Sequence, residues 1–121
     1  MGVVLLSRDL MLLSRTQGAA NKCGAILTNC GDVAQTVAVL ENTDCRGVII
    51  DLRLPGLAIG EAVAQLRTAK PSVRIAACGP HVHETSLQAA REALCDIVAT
   101  RGQFDRDADT IVAQLIAETS V

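Results

Sequence analysis

The sequence has 121 residues, half of them apolar, with 11 basic against 13 acidic side chains and a formal charge of −2. That is one domain's length, enough to bury a core; with no two basic residues adjacent and Phe104 the only aromatic, nucleic acid would find neither a charged track nor a stacking platform. No apolar run approaches a membrane span, and the short apolar start from Met1 to Leu6 lacks a basic leader.

Val3 to Leu6 reads as a first strand. Leu10 to Lys22 follows as a helix, ended by Gly24 in a C-terminal capping position. Ala25 to Thr28 is a second, weaker strand suited to a sheet edge. Asp32 is placed to N-cap a second helix, whose Val33, Val37 and Leu40 fall on one face. Gly47 to Asp51 is the clearest strand, continuous and β-branched until a charge stops it. A loop around Pro55-Gly56 leads to a third helix carrying Ile59, Val63 and Leu66, closed by Lys70-Pro71.

Val73 to Cys78 makes a fourth strand before Gly79-Pro80. Thr85 or Ser86 opens a fourth helix expected to bury Leu87, Ala90 and Leu94, and Ile97 to Ala99 is a short fifth strand. The last helix sets Ala108, Ile111, Val112, Leu115 and Ile116 on one stripe, with Asp105, Asp107 and Asp109 as an acidic start suited to the helix dipole. Strands alternating with helices imply βαβ crossovers and a mostly parallel sheet, helices on both faces, one domain spanning 1–121. In such sheets the working groups gather where strands end. Here those residues are Ser7, Arg8, Asp9, Asp51, Cys78, Gly79 and Thr100.

Cys23, Cys30, Cys45, Cys78 and Cys95 are an odd set without paired spacing, which reads as reduced thiols in a cytoplasmic protein. Cys78-Gly-Pro-His81-Val-His83-Glu84 places potential zinc ligands on one loop, yet no second set with zinc-site spacing accompanies it. His83 or Glu84 is instead expected to contact a helix N-terminus. No Walker loop or GxGxxG supports nucleotide binding.

From Val48 to Gly56 the sequence runs VIIDLRLPG. This stretch is similar to the third strand, phosphoacceptor aspartate and following turn of response regulator receiver domains, the phosphoaccepting modules of two-component signalling, and the resemblance covers nearly the whole chain. It implies a flavodoxin-like (βα)5 doubly wound parallel sheet, strand order 2-1-3-4-5, with Asp51 at the phosphoacceptor position. Elsewhere the chain departs from the pattern. The family's metal-binding acid pair aligns with Ser7-Arg8, leaving Asp9 one residue late. Its hydroxyl residue aligns with Cys78, followed by a matching small residue, Gly79. Its lysine aligns with Thr100, beside Arg101; its switch aromatic with Ile97; and the acid seven residues past the phosphoacceptor with Ala58.

Without the acid pair, Mg²⁺ binding is expected to be weak or absent, and Arg8 is expected to pair with Asp51 in the ion's place. The reading that follows is a degenerate or pseudo-receiver, a non-enzymatic protein-interaction module without an ordinary Mg²⁺-dependent phosphorylation cycle. Its partner would be a histidine kinase, a downstream signalling protein or a second copy of the chain, met on the face of the fourth helix, fifth strand and fifth helix. Two rival readings remain. One is a conventional stand-alone receiver phosphorylated on Asp51 by a histidine kinase, using Asp9 and Arg8. The other is a metal- or redox-responsive protein using Cys78, His81 and His83.

Overall fold

The computed structural model describes residues 1–118. Within them five strands, β1 (Gly2–Leu6), β2 (Ile26–Cys30), β3 (Cys45–Asp51), β4 (Arg74–Gly79) and β5 (Ile97–Thr100), alternate with five helices. These are α1 (Leu10–Cys23), α2 (Val33–Asn42), α3 (Ile59–Ala69), α4 (Glu84–Glu92) and α5 (Arg101–Ile116). All strand pairs are parallel, in the order β2-β1-β3-β4-β5. This is the flavodoxin-like, doubly wound sheet expected from the sequence.

Side-chain alternation along the strands divides the core into two layers. Val3, Leu5 and Ile49 face α1 and α5, where Leu12, Ala19, Phe104, Ala108 and Val112 cover them. Val4, Leu6, Val48 and Ile50 face the other side, under Leu40 of α2, Val63 and Leu66 of α3, and Ala90 of α4. Because both faces are covered, the central strands read as unbroken apolar runs rather than as alternating ones. Gly47 sits in β3 for a steric reason: a Cβ there would lie 2.7 Å from the Leu115 Cβ of α5.

The helix ends follow local chemistry, with some corrections to the sequence reading. Gly24 closes α1 in the left-handed region, at φ 70°, and the Asp32 carboxylate accepts the Gln35 amide at 2.8 Å to cap α2. β2 does lie at an edge, but runs Ile26–Cys30, starting one residue and ending two residues later than Ala25–Thr28. α4 starts at Glu84, ahead of Thr85 and Ser86. His83 occupies its N-cap position without a side-chain capping bond, and Glu84 pairs with Arg91 at 3.3 Å along the helix. Leu94 is not buried; it stands 76% exposed at φ 64°, just past α4, where the chain turns back toward β5. The acidic stretch does not start α5. Thr100 caps it five residues before Asp105, through a reciprocal bond set with Gln103, and the acids fall in later turns.

Candidate functional site

The chain order reverses between β1 and β3, so the loop after β1 and the end of β3 lie side by side at the sheet's switch point. Register aligns Asp51 with Cys78, and Gly79 with Thr100, bringing the ends of β3, β4 and β5 to one rim. There a cleft of about 30 Å³ is lined by Leu12, Asp51, Arg53, Cys78, Gly79, Pro80 and Arg101. That is room for about two water molecules.

Asp51 is only 6% exposed, and both its carboxylate oxygens are taken. The Ser7 hydroxyl donates to Oδ2 at 2.6 Å, a buried bond, and the Arg53 amide donates to Oδ1 at 2.9 Å. The second bond is the local turn an aspartate makes with the amide two residues on. Ser7 Oγ also accepts the Asp9 amide at 3.0 Å. Ser7 therefore links the start of α1 to the end of β3.

Asp9 serves the helix rather than the cleft. Its Oδ1 accepts the Met11 and Leu12 amides at 2.8 and 3.1 Å, capping α1, and its Oδ2 pairs with Arg101 Nη1 at 3.2 Å. The Leu12 amide holds its carboxyl below the ordinary value; burial opposes this and Arg101 reinforces it. Arg101 also bonds Asp105 Oδ1 through Nε at 3.1 Å. Burial alone would weaken its hold on its proton, but Asp105 and Asp9 outweigh that and raise its pKa.

The expected Arg8–Asp51 pair is absent among the described residues. Arg8 is exposed and its Nε donates to the Gly31 carbonyl at 3.2 Å. The backbone turn that buries Ser7 against Asp51 directs the next side chain outward, toward the loop after β2. Thr100 is likewise engaged: its hydroxyl accepts the Gln103 amide at 3.1 Å, while Gln103 Oε1 accepts the Thr100 amide at 2.8 Å. Cys78 is 1% exposed, and burial, with the nearby Asp51 charge, pushes its thiol up to about 12. A thiol so protonated is a poor nucleophile or metal ligand at neutral pH. His81 and His83 lie exposed on the loop beyond it, and among the described residues no group of three or more His, Cys, Asp or Glu is placed to hold a metal.

Three cleft residues, Leu12, Arg53 and Pro80, are not among the site residues expected from the sequence, where Pro80 reads only as part of the loop after the fourth strand. Arg53 could have been found from its place two residues after a strand-ending aspartate. Leu12 reads only as a core residue of α1, and nothing local marks it.

No family model and no curated protein matches this sequence. Solved structures do match its fold. A CheY-like protein from Pseudomonas aeruginosa is similar at 20% identity and a TM-score of 0.78, over 95% of this chain and 98% of that one. The receiver domain of a sensor histidine kinase from the same organism, with magnesium coordinated in its active-site cleft, matches at 16% identity and a TM-score of 0.77, over 97% and 98%. A receiver domain from Saccharomyces cerevisiae, crystallised with a histidine phosphotransfer signalling protein, matches at 14% identity and a TM-score of 0.77, over 95% and 88%. Among the described residues no helix is long and apolar enough to cross a membrane. The fold of this chain is that of response regulator receiver domains.

Proposed function

We propose that this chain is a pseudo-receiver, a cytoplasmic, non-enzymatic signalling domain that acts by binding another protein without an Mg²⁺-dependent phosphorylation cycle at Asp51. The observation that carries this reading is the buried 2.6 Å bond from Ser7 to Asp51. A phosphoacceptor carboxylate must attack an anionic phosphoryl group, and that repulsion is ordinarily offset by a metal ion and fixed cations. Here a neutral hydroxyl stands against the acceptor oxygen instead.

The residues present do not fit magnesium. Such an ion takes about six oxygens in octahedral geometry, usually one or two of them carboxylates. Among the described residues Asp51 is the only carboxylate lining the cleft, and Asp9 is occupied by α1 and Arg101. Two cations at this end are also committed, Arg8 to Gly31 and Arg101 to Asp9 and Asp105, while Arg53, which lines the cleft, is exposed. A metal or redox role for Cys78, His81 and His83 is not favoured, because the thiol is buried and the two imidazoles are in solvent.

The partner in this reading is a histidine kinase, a phosphotransfer or downstream signalling protein, or a second copy, engaged through α4, β5 and α5. The yeast receiver domain with its phosphotransfer protein illustrates that kind of pairing. The test is intact mass after incubation with acetyl phosphate and Mg²⁺. Wild type and Asp51→Asn are expected to stay unmodified alike. One phosphoryl adduct on wild type alone would establish a conventional receiver and overturn the proposal.

A further inference from the structure

The geometry assigns Arg101 as a fixed latch between α1 and α5, one that holds the α5 surface in a single arrangement whatever the state of Asp51. This deepens the pseudo-receiver reading by naming how the partner surface would be held without phosphorylation.

Arg101 is the first residue of α5 and lines the same cleft as Asp51. Its guanidinium is nevertheless spent elsewhere, on Asp9 at 3.2 Å and Asp105 at 3.1 Å. Since Asp9 is the N-cap of α1, one planar group ties the start of α1 to the first two turns of α5. The seam continues away from the cleft. Arg15 donates to the Asp105 carbonyl at 2.8 Å and pairs with Asp109 at 3.5 Å, an ion pair without a hydrogen bond; Lys22 meets Asp109 at 3.2 Å. Asp9, Arg101, Asp105, Arg15, Asp109 and Lys22 thus alternate in charge down the two helices. Leu12, Ala19, Phe104, Ala108 and Val112 pack beneath them.

One route could still carry a change at Asp51 into this seam: Ser7 Oγ, which donates to Asp51 and accepts the Asp9 amide. It reaches Asp9 through the backbone. The Asp9 carboxylate is separately anchored by the Met11 and Leu12 amides, so losing the Ser7 bond leaves the grip on Arg101 in place.

Hydrogen exchange on the whole chain, read by mass spectrometry, tests the latch. Asp9→Asn keeps an N-cap for α1 while removing the charge that Arg101 holds. It is expected to speed exchange across 101–110 by about threefold, the order a half-exposed ion pair gives, and Arg101→Gln should do the same. Asp51→Asn and Ser7→Ala should leave that segment at the wild-type rate. Unchanged exchange in Asp9→Asn, or equal acceleration in Asp51→Asn, would overturn the latch. Should Arg101→Gln fail to fold, the Asp9→Asn comparison decides alone. A phosphoryl adduct on wild type would refute the pseudo-receiver reading without touching the latch, which then stands or falls on whether exchange at 101–110 changes in the adduct.

Discussion

Ser7 carries more of the site than its size suggests, because its buried hydroxyl donates to Asp51 and accepts from Asp9. Ser7→Ala leaves Asp51 Oδ2 buried without its donor, and a stranded group of that kind costs about 1–3 kcal/mol. The urea midpoint of Ser7→Ala should fall accordingly. Adding Asp51→Asn to Ser7→Ala should cost less than the sum of the two single changes, since both act on one bond. At this scale the sequence marked Asp51 well, through the apolar run that stops on it. The role of Ser7 was not legible. Nothing along the chain says which of Ser7, Arg8 and Asp9 turns inward; the crossing from β1 into α1 decides that, sending Ser7 in, Arg8 out to Gly31, and Asp9 onto its own helix.

Elements were easier to read than single side chains, and their errors are instructive. The stripe in α5 was visible because its period is long and repeated, whereas its start was hidden by the run from Asp105 to Asp109. Acids near a helix start are favourable, but the Thr100–Gln103 capping set satisfies more donors and begins the helix earlier. Leu94 failed as a core residue because α4 ends before it, leaving it at a left-handed turn that leucine adopts at a cost. Gly47 looked like an ordinary strand residue, although it is the point where α5 packs down on β3. Gly47→Ala puts a methyl 2.7 Å from Leu115. Overpacking of that order costs about 1–3 kcal/mol, so the variant should lose that much in equilibrium urea unfolding. A midpoint equal to wild type would show that α5 can lift from β3 freely.

For the molecule as a whole, α1 and α5 form one charged seam over an aliphatic layer, and Asp9 ties the stability of that seam to pH. The Asp9 carboxyl is held below its ordinary 3.8 in the folded chain, chiefly by the Leu12 amide, so the unfolded chain takes up that proton first. The contribution of Asp9 is complete above about pH 4 and is lost as pH falls through the lowered folded value. Urea midpoints measured from pH 7 to pH 2 should therefore fall less steeply for Asp9→Asn than for wild type. Parallel acid limbs would assign the loss to other carboxylates. The sequence by itself determined the βα alternation, the aliphatic core and the strand that ends on Asp51, because hydrophobic periodicity and turn chemistry are local properties of the chain. Tertiary structure alone decided that Ser7 rather than Arg8 meets Asp51, and that Arg101 joins Asp9 and Asp105 across two helices. Those partners stand 44 and 92 residues apart for Ser7–Asp51 and Asp9–Arg101, and only the packing of the layers brings them within a hydrogen bond.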